Sequence, residues 1–220
     1  MAVKLAAGIC TYSDYLGLAR CLDSLQAGEV DSIVIHGPFH AYTALDALSL
    51  TKTTEVCKAF LNTQLIDSAE PMPEIQKRQI YLDNAKNYDF LLVIDSDEYI
   101  APNTKWQLFY NNLQWLIDDN TEFHIFDIMF DGPPYHAWPR PRLFYKPSEI
   151  RYDMLHFQWI LPDTRLIRSQ SDSRQTIQGI KIRHDISLRS KARNQARNQY
   201  RDWLAKREEL AALAQSNDLR

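Results

Sequence analysis

The fold is decided by one stretch of the sequence, Asp89-Phe90-Leu91-Leu92-Val93-Ile94-Asp95-Ser96-Asp97-Glu98. The apolar run at residues 90–94 is uninterrupted, as is typical of a strand that is buried on both faces of a parallel sheet. Acidic residues come directly after this run. In an open α/β sheet, ligands bind in the crevice outside the carboxyl ends of the strands. The stretch therefore predicts a central strand that delivers polar side chains to a binding crevice.

Outward from this strand, apolar and amphipathic segments alternate through the first hundred residues. Strands are predicted at residues 5–10, 31–35 and 64–66, and helices at residues 15–25, 54–61 and 73–88. Strands that alternate with helices form βαβ units, so we expect a doubly wound α/β structure in this part of the chain.

The rest of the chain begins with the clearest helical pattern in the sequence, at residues 104–119. Its large apolar residues share one helical stripe, which predicts packing against the core. Shorter strand-like segments come next, at residues 123–130, 142–145, 150–152, 157–161 and 176–182. A C-terminal helix is predicted within residues 188–220, and Trp203 and Leu204 indicate that it packs on the body of the protein or on a second subunit.

The composition excludes several classes of protein. The chain has 220 residues, of which 45% are hydrophobic and 24% charged, as in an ordinary globular domain. No apolar run approaches the roughly 20 residues of a membrane span, and residues 5–10 are too short for a secretory leader. Cys10, Cys21 and Cys57 are widely spaced, which indicates neither a disulfide framework nor a zinc knuckle. We therefore expect a soluble protein of the cytoplasm, a reducing compartment.

The charges are distributed unevenly along the chain. Residues 1–137 carry 8 basic and 19 acidic side chains, whereas residues 138–220 carry 17 basic and 9 acidic ones. This asymmetry suggests a cation site in the first part and an anion site in the second. The alternative is that the charged side chains are spread unevenly over solvent-exposed surfaces and bind no ligand. The basic C-terminal helix also contains acidic and amide residues, so we interpret it as a solvated helix and expect no nucleic-acid partner.

Asp95 and Asp97 are the strongest local signal for chemistry. Residues i and i+2 of a strand point the same way, so both carboxylates are expected to face the crevice. Two carboxylates so close repel each other unless a cation lies between them, and a hard divalent ion, Mg²⁺ or Mn²⁺, accepts carboxylate and phosphate oxygens. The alternative is that these acids cap the next helix and bind loop amides.

Other residues add to the expected site. Arg78 lies on the apolar stripe of its helix and faces inward, so it needs either a ligand or a structural ion-pair partner. Its neighbour Lys77 is expected to be solvated. Tyr12 comes after the first strand, where it would either stack on a flat base or lie on the surface of a turn. His184 comes after the last predicted strand and is a candidate ligand for a transition ion such as Mn²⁺.

These segments, taken in order, resemble the GT-A-fold glycosyltransferases, and most of all the family-2-like enzymes. The first match is Glu74-Ile75-Gln76-Lys77-Arg78-Gln79, followed by the strand that ends in Asp95-Ser96-Asp97. A second patch is similar to the later motifs of the family: Arg142-Leu143-Phe144-Tyr145, Ile150-Arg151-Tyr152, His156 and Ile180-Lys181-Ile182-Arg183-His184. The resemblance implies a Rossmann-like α/β fold with a central mixed sheet flanked by helices and a C-terminal helix.

The resemblance implies a single domain over residues 1–220. It has a nucleotide- and metal-binding half at 1–100, an acceptor-side half at 101–187 and the C-terminal helix at 188–220. Its predicted activity is metal-dependent transfer of a hexose or deoxyhexose from a nucleoside diphosphate sugar, with UDP favoured, to a hydroxyl of a glycan or related acceptor. The nucleotide-binding residues would be Thr11, Tyr12, Arg78, Asp95 and Ser96.

The same resemblance assigns the metal ligands. Mn²⁺ or Mg²⁺ would be held by Asp95, Asp97 and His184, and Arg78 or Arg189 would help to neutralise the leaving diphosphate. The chain also departs from the family pattern, since His36-Gly37-Pro38 stands where an aspartate for a pyrimidine ring is usual. Gln79 replaces the usual asparagine, and Phe157 comes after His156 where glutamate is frequent.

Two points of mechanism stay open in the sequence. If the anomeric configuration inverts, a carboxylate must deprotonate the acceptor, and we expect Asp131 in this role, with Asp153 and Glu98 as alternatives. Retention requires no such base. The rival functions are a haloacid-dehalogenase-like phosphohydrolase, which also places Asp-x-Asp after an apolar strand, and a non-catalytic carbohydrate- or partner-binding module. The C-terminal helix is the candidate contact for a homo-oligomer.

Overall fold

The structure is a computed structural model that describes residues 3–38, 48–68, 70–121, 124–132, 138–153, 158–160, 166–167 and 175–184. The predicted C-terminal helix at 188–220, with Arg189, and the motif residue His156 lie outside the described residues.

The elements alternate as the sequence predicts. The four helices of the described residues are α1 (Tyr15–Gln26), α2 (Ser49–Ala59), α3 (Glu74–Asn84) and α4 (Trp106–Asp118). The strands are β1 (Leu5–Thr11), β2 (Asp31–His36), β3 (Thr63–Asp67), β4 (Phe90–Val93), β5 (Glu98–Ile100), β6 (Ile125–Phe130), β7 (Pro139–Tyr145), β8 (Arg151–Asp153), β9 (Gln158–Ile160), β10 (Leu166–Ile167) and β11 (Thr176–His184).

Eight strands form one mixed sheet in the order β3-β2-β1-β4-β7-β6-β11-β5. The first four are parallel to one another, as βαβ connections require. Beyond β4 the direction changes, because β7 pairs antiparallel with both β4 and β6, and β5 pairs antiparallel with β11. A separate sheet contains β8, β9 and β10. The prediction of a central mixed sheet is therefore confirmed.

Helices cover the sheet on both faces, and the alternation of side chains along β1 shows how. Leu5, Ala7 and Ile9 belong to the core cluster that also contains the apolar stripes of α1 and α4. Ala6 and Cys10 belong to a second cluster on the opposite face, which contains the inner residues of α3. Because β1 is buried on both faces, its sequence is an apolar run without alternation.

The three cysteines of the chain all lie in its interior. Cys10, Cys21 and Cys57 are buried, free thiols, so no disulfide framework links the fold. Burial raises the pKa of Cys10 to about 12, which keeps this thiol protonated and unreactive. Within the described ranges, no helix has both the length and the apolar character needed to cross a membrane.

Candidate functional site

The site lies where the carboxyl ends of β1, β4 and β11 meet one edge of the sheet. After β4 the chain does not continue as a strand but turns. The Glu98 amide donates to the Asp95 carbonyl at 2.9 Å, and the Asp95 amide donates to the Glu98 carboxylate at 2.8 Å. Strand alternation therefore does not govern Asp95 and Asp97, and the expectation that both face the same way does not hold in this turn.

Asp97 contacts His184, a residue 87 positions later in the chain. The Asp97 Oδ2 atom lies 2.8 Å from His184 Nε2. The cause is sheet register, since β5 pairs antiparallel with β11 so that Glu98 lies opposite His184. The side chains of Asp97 and His184 are 0% and 7% exposed, respectively. Two of the three predicted metal ligands thus lie together in a buried position.

Asp95 lies in a different environment, between two arginines. Its carboxylate accepts from Arg78 at 2.8 Å and lies 3.4 Å from Arg142. Arg142 also donates to Glu98 at 2.7 Å, where the carboxylate is 3% exposed. Burial raises the pKa of Glu98, while the Arg142 guanidinium opposes that rise. The arrangement is an alternating network of charges beneath the turn.

Arg78 faces inward, as the helical stripe predicts. It donates to Glu74 at 2.6 Å and to the Tyr81 hydroxyl at 3.2 Å, in addition to Asp95. Tyr81 in turn lies 2.9 Å from the hydroxyl of Tyr152. The structural ion pair that the sequence left as an alternative is therefore present. It holds the guanidinium at the edge of the site, where its side chain is 15% exposed.

The prediction that Lys77 is solvated is wrong. Its side chain is fully buried, and the ammonium group donates to the carbonyl of Gly37. The reason is that α3 packs on β1 and β2 and that the chain after β2 covers this side of the helix as well. Burial lowers the pKa of Lys77 to about 8. Lys77 fixes the loop after β2 to α3.

The end of β1 is also buried, which excludes a surface position for Tyr12. Thr11 is 0% exposed and Tyr12 is 5% exposed. The Tyr12 ring lies 5.7 Å from the ring of His36 at an angle of 38°. His36 donates from Nδ1 to Asp67 at 2.9 Å, and its Nε2 lies 2.9 Å from the hydroxyl of Ser49. The residue that departs from the family pattern therefore occupies a fixed orientation against Tyr12.

Ser96 connects the turn to the start of α1. Its hydroxyl donates to Asp14 at 2.9 Å, and both side chains are buried. Gly17 is required at this contact, because a Cβ there would lie 2.6 Å from the Ser96 carbonyl oxygen. The predicted nucleotide-binding Ser96 thus holds the turn against the first helix in this structure.

Asp131, the predicted catalytic base, lies at the end of β6 on the same edge of the sheet. Its amide donates to the Ile182 carbonyl at 2.9 Å, and its carboxylate accepts from Arg183 at 2.8 Å. This hydrogen bond lowers the pKa of Asp131, so the carboxylate stays ionised at neutral pH. Among the alternatives, Glu98 is buried against Arg142, and the side chain of Asp153 lies outside the described part of the chain.

The site contains groups to which the sequence assigned no role. Arg142 bridges Asp95 and Glu98, and a hydrogen bond to Asp67 fixes the ring of His36 beside Tyr12. Arg142 stands just before the buried Leu143 and Phe144, a position that could have indicated its importance. The sequence does not reveal that Asp95 and Glu98 are its partners. Among the residues that the structure describes, no three His, Cys, Asp or Glu side chains form a cluster that could hold a metal ion.

The fold is similar to crystal structures of TarS from S. aureus. TarS 1-349 matches with a TM-score of 0.51 and 16% identity, covering 70% of this chain and 51% of that one. TarS 1-349 in complex with UDP gives a TM-score of 0.52, also at 16% identity, with 70% and 52% covered. A further TarS structure gives 0.53 at 14% identity, with 84% and 37% covered. The sequence itself matches no protein-family model and no curated protein.

TarS is a GT-A-type glycosyltransferase, and the chain shares its architecture of a mixed sheet with helices on both faces. The chain therefore has the GT-A fold, as the sequence motifs predict. It spans about half or less of the length of the TarS structures that it matches. At such low identity the similarity establishes the fold alone.

Proposed function

We propose that this chain transfers a sugar from a nucleoside diphosphate donor, with UDP favoured, to a hydroxyl group of a glycan or related acceptor. The observation that carries the proposal is the contact between Asp97 and His184 at the carboxyl ends of β4 and β11. It joins two elements of a GT-A fold at the sheet edge where ligands of open α/β sheets bind. The complex of TarS with UDP supports the choice of base.

The nucleotide would lie across the end of β1. The rings of Tyr12 and His36 lie 5.7 Å apart there, and a nucleotide would contact the small exposed part of this pair. Arg78 would reach the diphosphate from the adjacent helix, because its guanidinium lies at the partly exposed edge of the ion-pair network. An arginine beside a leaving diphosphate stabilises the negative charge that develops as the sugar departs.

Asp97 and His184 fit a divalent ion of the Mn²⁺ type. Their Nε2 and Oδ2 atoms share a hydrogen bond of 2.8 Å, and an ion that replaced the shared proton would meet one imidazole nitrogen and one carboxylate oxygen. This donor set suits Mn²⁺ better than Mg²⁺. Such ions are usually bound by one or two protein side chains, and phosphate oxygens of the substrate and water complete the coordination. Asp95, held by Arg78 and Arg142, would support the site through these arginines. When bound, the ion would neutralise charge on the leaving diphosphate.

Asp131 would act on the acceptor if the configuration inverts. Its half-exposed carboxylate is kept ionised by Arg183, which is the state that accepts a proton from a hydroxyl group. Retention of configuration would instead leave Asp131 as a hydrogen-bond acceptor that orients the hydroxyl. In both cases the residue faces solvent at the sheet edge that also carries His184.

Nucleotide binding tests this proposal. Thermal-shift titrations with UDP, GDP and dTDP, each with and without Mn²⁺, should show metal-dependent stabilisation by UDP, because a ligand that binds only the folded state raises its stability. The Asp97→Asn variant should lose the response. Asp23→Asn, the same change at an exposed position of α1, should keep it. A response to none of the six combinations would refute the proposal.

Turnover separates the rival functions. A transferase releases the nucleoside diphosphate from a nucleotide sugar in the presence of Mn²⁺. A phosphohydrolase would instead release inorganic phosphate from simple phosphomonoesters, and a non-catalytic module would bind without releasing either product. Only the first result supports the proposal.

A further inference from the structure

A cavity lies along β11, beside the proposed donor site. It has a volume of about 440 Å³ and lies between the start of α4 and the middle of β11. Asp131 and Arg183 line one end of it, next to the proposed site in sequence. Lys181 lines it as well, and so does Lys105, whose amide is bonded to Gly179, five positions before His184 on β11. The cavity therefore extends away from the place where the acceptor hydroxyl would react.

The charge of this cavity is positive. Arg183 and Asp131 form an ion pair at 2.8 Å and neutralise each other. Lys105 and Lys181 are exposed, and neither forms an ion pair within the part of the chain that the structure describes. Two positive charges thus remain, next to apolar surface from Leu108 on α4. A ligand that fits this surface carries a negative group beside a less polar body.

The walls of the cavity are held by the backbone. The pairing of β11 with β6 is interrupted between Ile177 and Lys181. Gly179, in this irregularity, has a φ of +109°, and a Cβ there would lie 2.5 Å from the Phe109 nitrogen. The Lys105 amide donates to the Gly179 carbonyl at 2.7 Å. This contact fixes the backbone of Lys105 next to β11, so the two lysines project from a rigid frame.

We propose that this cavity binds an anionic group of the acceptor, either a carboxylate or a phosphate carried by a sugar. The inference rests on the proposed function and adds to it the chemical class of the acceptor. Lys105 and Lys181 would hold the anion, and the acceptor hydroxyl would lie at the Asp131 end. A charged group in this position selects acceptors, because a neutral sugar gains nothing from the two lysines.

The test uses the full chain and three small probes: methyl glucoside, methyl glucuronide and glucose 6-phosphate. The two charged probes distinguish a carboxylate from a phosphate. NMR titration should show binding of at least one charged probe, with weakening as salt rises, and much weaker binding of the neutral one. The Lys105→Gln/Lys181→Gln variant should bind the charged probe about tenfold more weakly, since each exposed ion pair contributes a factor of about three.

The control is Lys58→Gln/Lys86→Gln, which removes the same charge at exposed positions outside the cavity and should leave probe binding unchanged. Equal affinity for neutral and charged probes would overturn the inference, as would an unchanged affinity in Lys105→Gln/Lys181→Gln. UDP titration of the same variants separates the two proposals. A normal UDP response with failed probe binding refutes only the anionic acceptor. Absence of any UDP response refutes the transferase and the acceptor role with it.

Discussion

Removal of Arg142 should destabilise the fold more than most single substitutions. Its guanidinium lies 2.7 Å from the Glu98 carboxylate and 3.4 Å from that of Asp95. Arg142→Met keeps much of the side-chain volume but leaves Glu98, which is 3% exposed, without its positive partner. The perturbation is therefore a buried carboxyl group that has lost its positive partner and one of its hydrogen-bond donors.

The expected loss in the free energy of unfolding is about 3 kcal/mol, the lower end of the range for the removal of one partner from a buried ion pair. The lower end applies because Asp95 is 29% exposed and Glu98 keeps its hydrogen bond from the Asp95 amide. Adding Glu98→Gln replaces the orphaned carboxyl group with a neutral amide. The double variant should therefore be more stable than Arg142→Met by about 1–2 kcal/mol.

Urea-induced unfolding followed by tryptophan fluorescence measures these values. Arg151→Met is the matched control, since Arg151 is exposed on β8, and it should stay within about 0.5 kcal/mol of the unsubstituted chain. If Arg142→Met is as stable as this control, the buried ion pair does not stabilise the fold. Likewise, if Glu98→Gln destabilises the Arg142→Met background further, the buried carboxyl group is not the source of the loss.

Two further predictions concern burial and backbone geometry. Because burial lowers the pKa of Lys77 from 10.5 to about 8, the unfolded chain binds more protons between these values. This group therefore adds about 3 kcal/mol to the free energy of unfolding as pH rises from 8 to 10.5. Urea unfolding at several pH values should show that this rise is absent in Lys77→Met. The same rise in Lys77→Met and in the unsubstituted chain would contradict the burial of Lys77. Gly179→Ala should cost at least about 2 kcal/mol, because its Cβ meets the backbone of Phe109 at a positive φ. Gly132→Ala, also at a positive φ but with no atom of the described residues within 4 Å of the added Cβ, should cost less in the same assay, and equal losses would remove the steric argument.

The fold was predictable because the central strands are buried on both faces. That burial leaves continuous apolar runs in β1 and β4, and a run of this kind is visible without any alignment. The strand β5 was not predicted, since a three-residue element has no periodicity to detect. The buried Lys77 was missed for a similar reason. Nothing in its neighbourhood in sequence distinguishes a lysine covered by a distant loop from one in solvent.

The sequence named residues for a candidate site, but it did not predict the contacts that these residues make. The resemblance placed Asp97 and His184 in one site, but their contact depends on the pairing of β5 with β11. The expectation that Asp95 and Asp97 face the same way rests on strand alternation, whereas the chain leaves the strand at Val93 and turns. Long-range ion pairs such as Arg142 with Glu98, 44 positions apart, leave no local pattern in the sequence.

The most direct test of the central claim is the release of UDP from a UDP-sugar by the purified chain, measured with and without Mn²⁺. Release should depend on Mn²⁺, Asp97→Asn should abolish it, and Asp23→Asn should retain it. Release that is equal in Asp97→Asn and the unsubstituted chain would contradict the account, as would the absence of release from any nucleotide sugar that the chain binds.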